Sequence, residues 1–404
     1  DKDINQNLSS EKELLYGKAF DYYFKEDFLN SINLCNKIIK FEEYKNSVQD
    51  LLASNYKKQK NFLDALKIYK AQLKEKRNYL IFYNIGCLFL DLGRTKIAQY
   101  YFEKCKSLNN KYYTNLNNLS LCKLKLKEFK EGFLLFENRW NINENRLVKK
   151  FTNIKTPGSL SEIKNKKLLI WDEQGLGDTI QFSRFVIDLS KYTEHITFVV
   201  NPKLSEILKH LHKNVFVTSD EKLDVSKFDY QIPVCSLPKL LNIFDQRKIN
   251  YYKLELSDNK QVIRLDNNKI NIGLAWSGNK NYFLDQYRSI PFQYFKKILE
   301  FKNINYFKLS KDKRSDEEVA YKSYSNLFDM GENTFYEISN LIKELDLVIS
   351  SDTSIIHLAG ILNKKSILLL NYNSDWRWFS DTKKTIWYPS ITIIKQKKIN
   401  NWDN

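Results

Sequence analysis

The chain has 404 residues, 43% of them hydrophobic and 14% aromatic, which is long enough for two or three domains that each bury a core. Its 65 basic and 48 acidic residues give a formal net charge of +17, spread as +10 over residues 1–150 and +7 over the rest. Because no Arg-rich block, zinc-finger spacing, aromatic RNA-binding pattern or apolar run of membrane-spanning length accompanies this charge, the sequence argues against nucleic-acid binding and a transmembrane segment.

A repeated pattern of small and large apolar residues runs through residues 12–146. Gly86, Phe89, Ala98 and Phe102 have the spacing of a tetratricopeptide unit, a helix–turn–helix of about 34 residues. Equivalent positions occur in the two preceding registers and, more loosely, in the following one: Ala53, Tyr56, Ala65 and Tyr69; Ala19, Tyr22, Ser31 and Cys35; Leu119, Gly132 and Phe136. A helical bundle with accidental spacing is the alternative. Three successive registers favour four repeats, in a helical domain at 1–150.

Helical repeats of this kind predict a protein or peptide partner. Stacked helix pairs form a curved solenoid whose concave surface binds extended segments of other proteins. Asn55, Asn84, Asn115 and Asn118 are candidates for that surface, where their amides would bind a peptide backbone. Ordinary solvated surface is the alternative for each of them.

After residue 150 the periodicity changes to alternating strand-like and helix-like segments. One series begins with a predicted strand at 167–171, and a second begins with "INIGLAW" at 270–276. Two successive series predict two Rossmann-like lobes, at 151–262 and 263–404, with ligands at the carboxyl ends of the strands. Polar, small-residue motifs follow three of the predicted strands: "EQGLGD", "WSGNKN" with "RSIP" after it, and "SSDTSIIHLAG". This layout is typical of a two-lobe enzyme with a shared cleft.

The ordered set of motifs resembles a known family. The segments that carry the resemblance are "GFLLFENRW", "GLGDTIQFSRF", "SLPKLL", "IGLAWSGN", "RSIPF", "LDLVISSDTSIIHLAG" and "DWRWF…WYP…KQ…NW". With them, region 166–403 is similar to GT-B glycosyltransferases related to the lipopolysaccharide heptosyltransferases (glycosyltransferase family 9-like), especially bacterial relatives with N-terminal tetratricopeptide repeats. The resemblance implies an α + α/β fold, in which a tetratricopeptide-like helical solenoid precedes a GT-B fold of two Rossmann-like α/β lobes.

Two positions depart from the family pattern. Asn333-Thr334 stands where an acidic residue and Thr are usual, which weakens any role for an acid there. Asn401-Trp402 stands where Gly-Asp-Trp is customary, and we expect this change to affect only a closing helix.

Glycosyl transfer needs a base for the acceptor, stabilisation of the diphosphate leaving group and orientation of the donor. The resemblance implies that Asp178 is the catalytic base, while Gly175 and Gly177 let the substrates approach the backbone. The alternative is that Asp178 only caps a helix predicted at 179–192, since Asp is a favoured N-cap residue. No DxD motif follows a strand and the four histidines are scattered, so we expect no metal and no cofactor besides the nucleotide-sugar donor.

The second lobe is predicted to bind the nucleotide sugar. Ser277 and Gly278 form the first turn of this lobe, and the family places a basic residue at the position of Arg288, against the diphosphate. A surface cation is the alternative for Arg288. The loop Asp352, Thr353 and Ser354 precedes a predicted helix whose N–H groups would face the diphosphate.

Two further motifs allow more than one interpretation. His357 lies about one helical turn beyond Thr353, so it either reaches phosphate or ribose or packs in the core. "DWRWF" at 375–379 forms either the acceptor entrance or, as we favour, the packed join between the lobes.

The sequence therefore predicts a metal-independent glycosyltransferase that acts on a protein recruited by the repeats, such as a flagellin or another surface protein. A glycan or lipid-linked acceptor stays open, as does a binding scaffold with an inactive transferase-like module. The five cysteines form no CxxC pair and lie in apolar segments, which favours reduced thiols and a cytoplasmic location. The basic surface leaves peripheral contact with an anionic membrane open.

Overall fold

The computed structural model describes residues 2–142, 148–256, 263–282, 285–311, 315–379, 383–399 and 401–403, with the backbone alone at 2–10, 315–316 and 318. The chain divides into two compact units, Asp1–Cys122 and Lys123–Asn404. The division falls inside the seventh helix.

Eight helices form the N-terminal part of the chain, as the repeat pattern predicts. They are α1 (Lys2–Phe24), α2 (Phe28–Ile38), α3 (Lys45–Lys58), α4 (Phe62–Glu75), α5 (Tyr79–Asp91), α6 (Thr95–Leu108), α7 (Tyr113–Lys125) and α8 (Phe129–Phe136). The small residues of the repeat pattern are fully buried where helices meet: Ala19, Ser31, Ala53, Ala65 and Ala98. Residues 2–142 thus form four helix pairs, which confirms the predicted repeats.

The turn inside each pair repeats as regularly as the helices. Glu26, Lys60, Gly93 and Lys127 all adopt positive φ, between 60° and 68°, at the same position of successive repeats. In each case the next residue donates its backbone N–H to a carbonyl five residues earlier, at 2.8–2.9 Å. This is the hydrogen bond that ends a helix at a left-handed residue, where glycine is usual. The turn geometry is therefore the same in all four repeats, although only the third has glycine at this position.

Two of the four asparagines predicted for a peptide-binding surface are buried instead. Asn55 donates to Ser31 Oγ and Leu51 O, both at 2.9 Å, and Asn115 donates to Phe102 O at 3.0 Å. Both side chains are fully buried, so they stabilise helix packing, and that prediction was wrong for them. Asn84 and Asn118 are only partly buried.

The second unit contains two sheets, and every described strand pair is parallel. The strands are β1 (Leu168–Trp171), β2 (Ile196–Val199), β3 (Val215–Thr218), β4 (Tyr230–Pro233), β5 (Ile270–Ala275), β6 (Ile304–Lys308), β7 (Leu327–Asp329), β8 (Leu347–Ser350), β9 (Ser366–Leu370) and β10 (Ile391–Lys395). The strand orders are β3-β2-β1-β4 and β10-β9-β8-β5-β6-β7. In each sheet the chain order reverses beside the first strand, β1 or β5, which is where open α/β sheets bind ligands.

Eight helices accompany these sheets: α9 (Leu176–Leu189), α10 (Pro202–Leu208), α11 (Leu237–Leu240), α12 (Asp285–Arg288), α13 (Lys296–Leu299), α14 (Ser315–Lys322), α15 (Phe335–Glu344) and α16 (Ser354–Ile361). The predicted closing helix is absent from the described residues 383–399 and 401–403, where Asn401 instead bridges to Lys398. Thr334, at one departure from the family pattern, caps α15 by accepting the Glu337 N–H at 3.2 Å. None of the described helices is long and apolar enough to cross a membrane.

Candidate active site

The three predicted motifs lie at the carboxyl ends of β1, β5 and β8. Strands β5 and β8 are neighbours in one sheet, so the loops that follow them start side by side. Helices α9 and α16, which begin after β1 and β8, pack against each other and so bring the first and third motifs together. Arg288, after β5, donates from Nη1 to the carbonyl of Asp352 at 3.0 Å. The structure therefore gathers residues from all three motifs around one site.

Asp178 is the third residue of α9, and not its N-cap. The helix begins three residues earlier than predicted, with Gly175 as N-cap. Asp178 Oδ2 accepts the Gly175 N–H at 2.8 Å, so the carboxylate does hold the helix start, but from the third helical position. The interpretation of Asp178 as N-cap is corrected, because its carboxylate contacts the N-cap residue from the third position of the helix.

The other oxygen of Asp178 forms an ion pair that the sequence did not predict. Arg377 Nη2 contacts Asp178 Oδ1, and both side chains are less than a fifth exposed. Burial raises the pKa of Asp178 above its ordinary value, while the Arg377 charge and the Gly175 N–H oppose that rise. Both oxygens of Asp178 thus have partners, Gly175 and Arg377.

Arg377 belongs to the "DWRWF" segment, whose aromatic residues are packed. The Trp376 ring lies 6.2 Å from Phe133 of α8 and 6.4 Å from Phe182 of α9, measured between centroids. Arg377 lies over the Trp376 ring and donates from Nη1 to Asp375 Oδ1 at 2.7 Å. The segment therefore packs against α8 and α9, and it also places an arginine beside the candidate base.

Arg288 lies close to Gly278, as the motif spacing requires. A Cβ on Gly278 would come within 2.5 Å of Arg288 Nη2, so the guanidinium occupies the space that glycine leaves. Arg288 Nε also pairs with Asp285 Oδ1 at 3.2 Å, and Ser277 is buried beside this turn. Arg288 is therefore fixed by contacts on two sides and is not a free surface cation.

The loop before α16 carries a second perturbed carboxyl group. Thr353 is the N-cap and Ser354 the first residue of this helix. Burial, reinforced by the nearby charge of Asp375, raises the pKa of Asp352 to about 6, against opposing effects of Trp378 and Arg288. Asp352 therefore binds a proton at a higher pH than an ordinary aspartate does.

This pKa predicts a pH-dependent effect of Asp352→Asn on stability. A carboxyl whose folded-state pKa is raised stabilises the fold below the unfolded pKa of 3.8, and that contribution is lost as the pH rises through about 6. Asn mimics the protonated form at every pH. Relative to the parent, the variant should gain about 2–3 kcal/mol between pH 4 and pH 7.5, since one pKa unit is worth about 1.4 kcal/mol. Urea denaturation at pH 4, 6 and 7.5 measures this gain, and a constant difference would contradict it.

His357 lies in the packed interior, against the first motif. Its Nδ1 is 3.0 Å from the Tyr388 hydroxyl, and its ring lies 5.1 Å from that of Trp378. A Cβ on Gly177 would come within 2.8 Å of His357 Cδ2, which explains why glycine is required at that position. Burial, and then the charges of nearby arginines, lower the pKa of His357 well below its ordinary value. The imidazole is therefore neutral at pH 7 and packs where α9 meets α16.

A buried ion pair next to the first motif was also not predicted from the sequence. Arg139 donates to Glu173 from Nε at 2.9 Å and from Nη2 at 2.7 Å, and it donates to Ser236 Oγ at 2.8 Å. Glu173 also accepts the Cys235 N–H at 3.1 Å. Glu173 lies two residues before Gly175, so this network fixes the start of the Gly-Leu-Gly-Asp loop. Both residues lie within quoted motifs, yet their pairing depends on the fold.

Among the described residues, no group of three or more His, Cys, Asp or Glu side chains is placed to hold a metal ion. The site consists instead of carboxylates and arginines: Asp178, Asp352, Asp375, Arg288 and Arg377. Guanidinium groups and helix N-termini are the features with which proteins bind phosphate.

No protein-family model and no curated protein matches the chain. Solved structures that it resembles include a tetratricopeptide repeat protein from Parabacteroides merdae ATCC 43184 (20% identity, TM-score 0.29), covering 34% of this chain and 55% of that one. Another is the O-GlcNAc transferase of Thermobaculum terrenum (11% identity, TM-score 0.32), covering 97% of this chain and 58% of that one. A third is a family 9 glycosyl transferase from Veillonella parvula DSM 2008 (11% identity, TM-score 0.42), covering 59% and 89%.

These structures belong to the two classes that the sequence motifs resemble, helical repeat proteins and glycosyltransferases. The chain spans 55% and 58% of the length of the first two. At TM-scores below 0.5, the likenesses are loose, and the fold described above rests on the helices and strands of this chain itself.

Proposed function

We propose that the protein is a metal-independent glycosyltransferase that moves a sugar from a nucleotide-sugar donor to an acceptor hydroxyl. The observation that carries this proposal is the convergence of the three strand-end motifs on one cluster, where Asp178 pairs with Arg377 and Arg288 contacts the carbonyl of Asp352. A base next to cationic groups is what displacement of a diphosphate leaving group requires. A cytoplasmic location, favoured by the scattered cysteines, is part of this proposal.

In the proposed reaction Asp178 takes the proton of the acceptor hydroxyl. The acceptor oxygen bonds to the anomeric carbon, whose bond to the phosphate oxygen breaks, and the nucleoside diphosphate leaves with that electron pair. Arg288 and the N–H groups at the start of α16 would stabilise the leaving group, aided by Ser277, Gly278, Thr353 and Ser354 around the donor. Neutral His357 would keep α16 packed against the first motif.

One observation favours the alternative of a non-catalytic scaffold. Both oxygens of Asp178 have partners, Gly175 and Arg377, and the charge of Arg377 makes the carboxylate a weaker base. Binding and turnover with a panel of nucleotide sugars separate the two hypotheses. A transferase should release nucleoside diphosphate from one donor, and intact-mass measurement should show a hexose-, heptose- or other sugar-sized addition to an acceptor. A well-folded chain that binds no donor would remove the transferase proposal.

A protein acceptor is the second part of the proposal, and the helical repeats support it. The first helices of successive pairs are linked by polar and aromatic contacts: Lys57 with Asp91 at 3.1 Å, and Asn118 with the Tyr83 hydroxyl at 3.3 Å. The ring of Tyr79, the first residue of α5, is 5.3 Å from that of Tyr112, which directly precedes α7. We call this surface the first-helix face. Amides and tyrosines at such a face suit an extended peptide.

Replacing Asn118 and Tyr79 by Ala should therefore weaken acceptor recruitment. We expect KM for a protein acceptor to rise by about tenfold, because the loss of one or two contacts costs roughly 1–1.5 kcal/mol. Hydrolysis of the donor in the absence of acceptor should not change. The matched control is Tyr100→Ala on α6, a tyrosine that is 57% exposed. Equal KM values for the parent and the double variant would remove the first-helix face from acceptor binding.

A further inference from the structure

The candidate base and the "DWRWF" arginine are partners, and this pairing has a consequence for donor binding. While Arg377 pairs with Oδ1, its positive charge opposes the transfer of an acceptor proton to the Asp178 carboxylate, and Oδ2 accepts the Gly175 N–H. Any acceptor hydroxyl that uses Asp178 must therefore compete with Arg377. Asp178 becomes available as a base when the Arg377 guanidinium moves away from it.

Arg377 is also suited to bind an anion. Its Nη1 and Nη2 contact Asp375 and Asp178, whereas its buried Nε has no hydrogen-bond partner among the described residues. The side chain is only 10% exposed. An unsatisfied donor on a buried charged group is costly, and a ligand oxygen would satisfy it.

Arg288, the second arginine of the site, indicates where such an anion would bind. Arg288 reaches the carbonyl of Asp352, and the charges of both Arg288 and Arg377 act on the Asp352 carboxyl. Arg288 thus contacts the loop at the start of α16, and the charge of Arg377 acts on the same loop from a different segment of the second unit. Two forked cations beside a helix N-terminus suit a diphosphate, which has oxygens for both.

We propose that Arg377 is a diphosphate-binding residue, which exchanges Asp178 for the donor phosphates when the nucleotide sugar binds and thereby releases Asp178 to act as the base. This inference rests on the proposed function and assigns to the same site a residue and an order of events. Donor binding comes first and frees the carboxylate that the acceptor then needs. The loss of the arginine charge also makes Asp178 a stronger base.

The exchange makes an unusual prediction for inorganic pyrophosphate, which can be used before the natural donor is known. In the parent, pyrophosphate must displace Asp178 from Arg377. Asp178→Asn removes this competitor and should tighten pyrophosphate binding about fivefold, which corresponds to roughly 1 kcal/mol. Arg377→Met should weaken binding about tenfold or more. Isothermal titration calorimetry on the full chain measures both changes.

A simple loss of negative charge near the site would also favour an anion, so the double variant decides between the two causes. If Arg377 mediates the effect, Asp178→Asn should give no gain in the Arg377→Met background. The same gain in both backgrounds would overturn the exchange. Arg377→Gln, which keeps hydrogen-bond donors but loses the charge, replaces Arg377→Met should that variant fail to fold. Arg247→Met is the matched control, since the hydrogen bonds of the Arg247 guanidinium among the described residues go to Asp245, two positions away.

The outcomes separate this inference from the function on which it rests. ADP, UDP, GDP and CDP are titrated beside pyrophosphate. Binding of one of them by the parent, with no effect of Asp178→Asn on any affinity, would overturn the exchange and leave the transferase proposal standing. No binding of any probe by the folded parent would overturn both.

Discussion

Asp178→Asn should lower the turnover number by about a hundred- to ten-thousandfold, the usual cost of removing a general base. The amide oxygen can still accept the Gly175 N–H, which the carboxylate accepts at 2.8 Å, so the start of α9 should be retained. The amide cannot accept a proton from the acceptor hydroxyl. Melting temperature should therefore change little while turnover collapses, as measured by release of nucleoside diphosphate from a donor that the parent uses.

Asp178→Ala is the comparison that isolates the structural role of this side chain. Alanine removes both the proton acceptor and the contact with Gly175, so this variant should lose turnover and also melt at a lower temperature. The Asn variant should lose turnover alone. A folded Asp178→Asn protein with near-parental turnover would end the assignment of Asp178 as catalyst, and Asp178 would then be only part of the helix start.

The architecture was predictable because it is determined by local patterns of residue spacing and hydrophobicity along the chain. The repeats show in the spacing of small residues such as Ala53 and Ala98, which are fully buried in the structure. The lobes show in the alternation of short apolar runs and helical segments, and the strand predicted at 167–171 corresponds to β1, Leu168–Trp171. The ends of the helices and strands were harder to predict. The start of α9 depends on a contact between Gly175 and Asp178, and no single residue of the sequence indicates where this helix begins.

The pairing of charges could not be predicted, since it depends on residues far apart in the sequence. Arg377 lies 199 residues from Asp178, and Arg139 lies 34 residues from Glu173. Each of these residues lies in a motif, but a motif does not indicate which distant residue will form an ion pair with it. Asn55 shows the opposite error. Its amide suited a binding surface, yet its neighbours in space, Ser31 among them, offered a buried partner instead.

Breaking the Arg139–Glu173 pair should cause the largest loss of stability among single substitutions near the site. Their charged groups are 2% and 1% exposed, and two parallel hydrogen bonds of 2.9 and 2.7 Å join them. Desolvation of each charge is costly, and the partner offsets that cost. Arg139→Met leaves the Glu173 carboxylate buried without its cation. We expect the free energy of unfolding to fall by about 3–5 kcal/mol, measured by urea denaturation.

The double variant Arg139→Met/Glu173→Gln tests whether the loss comes from an uncompensated charge. Glutamine is neutral and keeps an oxygen for the Cys235 N–H, which Glu173 accepts at 3.1 Å. The double variant should therefore be more stable than Arg139→Met alone, even though it carries one more substitution. Arg247→Met, at an exposed local pair with Asp245, should leave the denaturation midpoint unchanged. If the second substitution adds a further loss, the contribution of Arg139 lies in its contacts with Ser236 and the Phe136 carbonyl, and not in neutralising a buried carboxylate.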